Sequence, residues 1–334
     1  MRDVATRCGV SISTVSLVLS GDARIPEDTT RRVLQAVKAM EYRPSVVARN
    51  LARRSSRTIG VILPEFALTR NQPFFYQAIQ GIHSQTQSAG YKIIVEAANP
   101  SFLERRYYHR LLKEQSVDGI VYLAANREDS FLNEMVAEPY SFVLLGSTLP
   151  DSDLDMVRGD DMGGAKMATD HLISLGHKKI GHLAGLMTTS HSYDREKGYR
   201  EAMTAAGLTV QHDWVQQTEY DLNKSVEATN RLINEGVTAI FAGGDVMAYG
   251  ALRALHKNGK NVPSDMALVG MDDLEMSNWI SPTLSTVRFD IAEMAALAVK
   301  YIINKVQSPL IKKSTLTDVP QPKLIVRDSC GAKR

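Results

Sequence analysis

The chain has 334 residues, with 39 Lys and Arg against 37 Asp and Glu and a formal charge of +2 at neutral pH. That length exceeds one ordinary domain. No apolar run approaches the 18 or so residues of a membrane-crossing helix, and no signal-peptide pattern opens the sequence. The two cysteines, Cys8 and Cys330, supply no disulfide framework and fit a reducing compartment, so a cytoplasmic location is expected.

The near-neutral total hides an uneven distribution. Residues 1–57 hold eleven Lys and Arg against five Asp and Glu, a net +6, which leaves −4 for everything that follows. Within this basic head, Asp3 is placed to cap a short helix through Cys8. Gly9 permits a reversal, and the Ser11 hydroxyl caps a second helix running to about Leu19. Val4, Ala5, Val10, Val15 and Leu19 form a shared core, leaving Ile12, Ser13, Thr14, Ser16 and Leu17 at the exposed start of helix two, where a recognition helix meets base edges. A third helix, about Glu27 to Met40, follows Pro26, with Val33, Leu34 and Val37 as its buried stripe. An ordinary three-helix bundle shares this spacing. The clustered positive charge, which neutralises phosphates and releases counterions, favours DNA.

Next comes a short segment opened by Pro44, with Val46, Val47, Ala48 and Leu51 inside two helical turns. A helix that short is marginal alone, so it is expected to order only against DNA and a second subunit. Leu51 among arginines suits an apolar wedge in the minor groove, with Arg49, Asn50 and Arg53 as further DNA contacts. A plain basic linker is the competing interpretation.

From residue 58 onward, strand and helix alternate. Thr58–Leu63, Tyr91–Val95, Gly119–Leu123, Phe142–Leu145, Ile180–Ala184, Ala239–Ala242 and Ala267–Val269 have the pattern of buried parallel strands. Helical stretches between them end at Gly90, Gly176, Gly207, Gly236 and Gly259. The rhythm predicts an α/β body of two doubly wound parallel-sheet lobes. Ligands in such folds sit beyond the carboxyl ends of the strands, where the loops carry Phe74, Phe75, Arg195, Tyr220, Asp245 and Asp272. Aromatic faces beside a guanidinium and carboxylates suit a sugar, a sugar acid or a nucleobase. Asp160 and Asp161 are weaker candidates, and each of these side chains also has a purely structural alternative: Arg195 in a local ion pair, Asp245 as a helix cap.

The strings Asp3-Val4-Ala5, Gly9-Val10-Ser11, Thr14-Val15-Ser16 and Tyr42-Arg43-Pro44-Ser45, with Ala48-Arg49 and Leu51, resemble the lactose/galactose repressor family of bacterial transcription regulators. The likeness continues through Ile59-Gly60-Val61, Asn71 to Phe75, Val117-Asp118-Gly119-Ile120, His171-Leu172 with Gly176-His177 to Ile180, Gly244-Asp245 to Gly250, Val269-Gly270 to Asp273, and Pro282-Thr283-Leu284. It implies a helix-turn-helix headpiece at 1–44, a hinge at 45–57 and a two-lobed body of periplasmic-binding-protein type at 58–334. The lobes would be about 58–160 with 291–320, and 161–290 with 321–330. It further implies an allosteric homodimer on a pseudo-palindromic operator, controlled by a small-molecule effector held by Arg195 and Asp272. The chain departs from the family at Leu17, where Arg or His is frequent, at Ile12 and Ser13, and at Met271, where an aromatic is frequent. Bidentate reading of guanine is therefore not available from helix two, and more of the specificity falls to methyl contacts and DNA bending.

Catalytic signatures are missing: there is no Walker A loop, no Gly-x-Ser-x-Gly elbow and no His-Glu-x-x-His run. His171, His177, His182 and His191 do not follow metal-ligand spacing and are expected to be surface or core residues. Neither cofactor nor metal is expected. A solute-binding protein would account for the body alone, and a sugar-modifying enzyme for neither head nor hinge.

Overall fold

The computed structural model describes residues 1–19, 22, 24–42, 55–65, 67, 73–126, 129, 131–137, 140–149, 154–308 and 319–332. Expected DNA contacts Arg49, Asn50, Leu51 and Arg53, together with Asn71, lie outside the described residues. The chain forms two compact units, Met1–Ser56 and Arg57–Arg334.

In the first unit, α1 (Arg2–Cys8) ends at Gly9, whose φ of 61° is the left-handed conformation that glycine adopts freely. Helix α2 (Ile12–Leu19) is capped as expected, the Thr14 backbone N–H donating to Ser11 Oγ at 3.0 Å. Helix α3 (Glu27–Ala39) begins after Pro26. Val4, Ala5, Val15, Val18, Val33 and Ala36 are buried together, with Val10, Leu19 and Val37 packed at the edge. Two expectations fail here. Asp3 is inside the first turn of α1 and makes no cap; Met1 holds that position without a side-chain bond. Leu34 is 48% exposed, because the buried stripe of α3 runs Val33, Ala36 and Val37, and the next residue along turns about 100° away from it.

In the second unit, five parallel strands form one sheet in the order β2-β1-β3-β4-β5, comprising Thr58–Pro64 (β1), Lys92–Ala98 (β2), Gly119–Leu123 (β3), Phe142–Leu145 (β4) and Asp155–Val157 (β5). A second sheet runs β11-β10-β9-β8-β6-β7: Ile180–Ala184 (β6), Val215–Gln217 (β7), Ala239–Ala242 (β8), Ala267–Asp272 (β9), Ser285–Arg288 (β10) and Lys323–Ile325 (β11). Its pairings are parallel except β10 with β11. Strands β1, β3, β4, β6 and β8 are buried along their whole length, which explains their predominantly apolar composition. The strand expected to be buried at Tyr91–Val95 is not: β2 is exposed or half-buried at every position, since it closes the edge of its sheet. Strands β5, β7, β10 and β11 carry no such run: each has three or four residues and, unlike the equally short β4 and β8, none is buried throughout.

The chain passes between the sheets more than once. Helix Asp161–Ser174 packs on helix Ser190–Ala205 and on β9 and β10, whereas helix Ile291–Gln307 returns to helix Pro73–Ser88 and to β3, β4 and β5. A Cβ on Gly81 would strike the Ala292 backbone, and one on Gly198 the Met162 carbonyl. Glycine at those two points lets each helix pair approach closely.

Candidate functional site

Arg195, on helix Ser190–Ala205, is 7% exposed. Its Nε donates to Asp161 Oδ1 at 2.8 Å and its Nη1 to the Gly243 carbonyl at 2.6 Å, with Asp272 Oδ1 3.2 Å from Nη1. Asp161 opens the helix that follows a crossing between sheets, Gly243 follows β8 and Asp272 ends β9. The guanidinium therefore ties together three elements besides its own, and it also lies 5.8 Å from the centre of the Phe289 ring. Burial opposes its charge, but Asp161 and Asp272 outweigh that and hold it above the ordinary arginine value. In return, burial raises both carboxylates against the pull of Arg195, Asp272 to about 6.

These groups face an open cleft between the carboxyl ends of the two sheets. Phe74 and Phe75 enter it from the start of helix Pro73–Ser88, their rings edge-on at 5.2 Å. Phe289, Ile291 and Met294 line the return crossing; Tyr220 and His191 complete the polar side. Tyr220 fills the space a Gly185 side chain would occupy, and Asp272 has φ 112°, a conformation that costs an L residue energy and recurs at ligand sites. Opposing sides of the mouth touch directly: the Thr148 N–H donates to Ser190 Oγ at 2.8 Å, Arg158 pairs with Asp194 at 3.3 Å, and Asn126 bridges to Thr189.

Of the six effector candidates, Phe74, Phe75, Arg195, Tyr220 and Asp272 are on this wall and Asp245 is not. The Asp245 carboxylate is fully buried behind it and accepts from the Leu274 N–H at 2.8 Å, Ser277 Oγ at 2.6 Å and Thr286 Oγ1 at 2.6 Å. Burial and nearby Asp272 raise it to about 7. It braces the turn after β9 to β10, and the N-cap of its own helix is Gly244. Asp160 caps the helix at 161–174 through the Gly163 N–H at 2.8 Å. Met271, where the family often has an aromatic, is buried in the core and does not line the cavity. His191 was missed, although a helical position four before Arg195 shares its face. Phe289 and Met294 carry no local signal.

His182 is sealed between the Tyr199 and Phe241 rings, a core residue as expected. Among the described residues no His, Cys, Asp and Glu cluster fits a metal ion, and no helix is long and apolar enough to cross a membrane. On α2, Ile12 and Ser13 are exposed, and Thr14, Ser16 and Leu17 are half-buried.

A model of bacterial regulatory proteins, lacI family, matches residues 1–45, and one of a periplasmic binding protein-like domain matches residues 169–330. The HTH-type transcriptional repressor PurR of Photobacterium profundum is 30% identical over 332 residues, 98% of each chain. The chain belongs to the LacI family. It is a DNA-binding transcriptional regulator with a helix-turn-helix headpiece and a two-lobed α/β body. Two solved structures are similar to it over nearly the whole chain: the lac repressor dimer bound to operator and the anti-inducer ONPF, with TM-score 0.86, 25% identity and coverage of 99% and 98% of the two chains, and the transcriptional regulator CelR–cellobiose complex, with TM-score 0.76, 28% identity and 98% of each.

Proposed function

We propose that this protein is an effector-controlled repressor whose homodimer binds a pseudo-palindromic operator, and whose effector sits in the cavity walled by Phe74, Phe75, Arg195, Tyr220 and Asp272. The observation that carries the reading is the buried Arg195 guanidinium, bonded to Asp161 and Asp272 and facing an aromatic-lined cavity between two sheets. The division of the chain is taken as a headpiece at 1–44, a hinge at 45–57 and two lobes beyond. Ile12, Ser13, Thr14, Ser16 and Leu17 meet base edges; Arg49, Asn50, Leu51 and Arg53 act from the hinge in the minor groove. The relatives named for the lac and CelR regulators support a sugar-like effector, and the match to DNA-binding repressors supports a regulator without enzymatic activity, working in the cytoplasm.

Two-fold protein symmetry matches two-fold operator symmetry. The effector changes lobe orientation and so the operator affinity, and operator binding changes effector affinity by the same factor. The test is a mobility-shift titration of the full chain on DNA flanking its own gene, with and without candidate sugars, sugar acids and nucleobases. A specific shift that no sugar, sugar acid or nucleobase alters would remove the effector half of the reading; no specific shift would remove the operator half.

A further inference from the structure

The cavity holds two buried carboxylates against one buried guanidinium. Asp161 and Asp272 both contact Arg195, at 2.8 and 3.2 Å, and the three side chains are only 8 to 12% exposed. Two of the donors on Arg195 are directed at Asp161 and at the Gly243 carbonyl. His191, also on the wall, adds no positive charge: burial, followed by the repulsion of Arg195, pushes it down to about 3. Its Nδ1 is buried without a hydrogen bond of normal length and angle, and the Gly146 backbone carbonyl also acts on the ring.

We propose that this cleft selects an uncharged, hydroxyl-rich ligand and excludes sugar acids and sugar phosphates, with Asp161 and Asp272 acting together as a charge filter and His191 Nδ1 meeting a ligand hydroxyl. The inference rests on the effector-site reading above and narrows it. An anion entering the cleft faces a site whose cation is already matched by two carboxylates, in surroundings where the effective dielectric is far below that of water. A hydroxyl group both donates and accepts, so it satisfies Nδ1 whichever ring nitrogen holds the proton. A carboxylate or phosphate oxygen only accepts. Phe74, Phe75 and Phe289 supply apolar faces for the C–H side of a sugar ring.

The test is a thermal-shift and calorimetric comparison on the full chain with matched probes: D-ribose, D-ribonate and ribose 5-phosphate, and D-glucose, D-gluconate and glucose 6-phosphate. Neutral members are expected to bind at least a hundredfold more tightly than their charged counterparts. A charged member that binds as well as its neutral parent overturns the proposal. Sulfate, read against sodium chloride of equal ionic strength, probes the filter without any assumption about the sugar. Sulfate is expected to stabilise Asp161→Asn and Asp272→Asn more than the wild type, and equal stabilisation of all three overturns the filter. Two variants are used so that one folding failure does not decide the outcome, and His191→Phe is expected to lose tenfold or more in neutral-sugar affinity, unchanged affinity removing His191 from the contact. Silence from every sugar, with the sulfate difference present, would count against the effector site itself and not against the charge filter.

Discussion

Arg195 Nη1 stands 3.2 Å from Asp272 Oδ1, joining the middle of one helix to the end of β9 at the floor of the interlobe cavity. Replacing Asp272 with Asn removes a charged partner but keeps the shape. Loss of one charged hydrogen bond costs about 1.5–3 kcal/mol, or ten- to hundredfold in effector affinity. Operator titrations with and without effector are expected to show a blunted response and near-normal DNA binding. Arg195→Ala is harsher, because it leaves Asp161 and Asp272 buried without their counter-ion; a loss of about 3–5 kcal/mol of stability is expected. Thermal melts of both variants separate the two effects, and an Asp272→Asn protein that melts and responds like the wild type would exclude Asp272 from the site.

Gly185 should tolerate no side chain. A Cβ there would overlap the Tyr220 ring, whose hydroxyl shares a 2.8 Å hydrogen bond with Ser192. Gly185→Ala is expected to displace the ring into the cavity and weaken effector binding by tenfold or more. Calorimetry checks this; unchanged affinity would mean that Tyr220 has room elsewhere.

His182 gives the second unit an acid-sensitive point. Burial pushes its imidazole from 6.5 to about 4, with Nδ1 3.1 Å from the Phe241 carbonyl and Nε2 buried without a partner. Below pH 6.5 the unfolded chain takes up a proton that the folded chain refuses, so stability present above pH 6.5 falls as the pH drops toward 4. The shift corresponds to about 3 kcal/mol across that window. His182→Phe is expected to flatten this slope in urea titrations at pH 7, 6, 5 and 4. His191, also lowered, retains its own share. Parallel pH profiles for variant and wild type would contradict the assignment.

In the headpiece, Ser11→Ala removes the oxygen that accepts from the Thr14 N–H at 3.0 Å. Loss of such a cap costs about 1 kcal/mol, a visible fraction of what a six-residue core supplies. The variant is expected to bind operator more weakly at high temperature, as read by mobility shift at 20 and 40 °C.

Since the positive charge is concentrated in residues 1–57, operator affinity should fall steeply with salt. Six to ten phosphate contacts would lose about 10³ to 10⁵ between 50 and 200 mM. A fragment beginning at Thr58 should not bind. Fluorescence anisotropy on labelled operator checks both, and DNA binding by that fragment would place the contact surface in the wrong unit.

Much of this architecture was legible along the chain. Strands β3, β4, β6 and β8 begin and end where their predominantly apolar runs do, because a strand covered on both faces must be largely apolar, with a polar exception such as His182 in β6 stacked between aromatic rings. Gly9, Gly90, Gly176, Gly207, Gly236 and Gly259 all take positive φ at helix ends, where a left-handed residue is required. Ser11 announces its helix, and Phe74, Phe75, Arg195, Tyr220 and Asp272, expected at loop ends, share one wall, although Arg195 projects from within a helix and not from a loop. The division of labour among carboxylates was decided only in three dimensions. Asp160, Asp161 and Asp245 are alike in local sequence terms, yet one caps a helix, one pairs with Arg195 and one braces a turn. His191 and Phe289 likewise gained their places only when the chain crossed between the sheets. A helix cap or a buried strand is set by near neighbours, whereas the partner of a buried charge depends on which distant segments the sheets bring within about 3 Å, the range over which hydrogen bonds act.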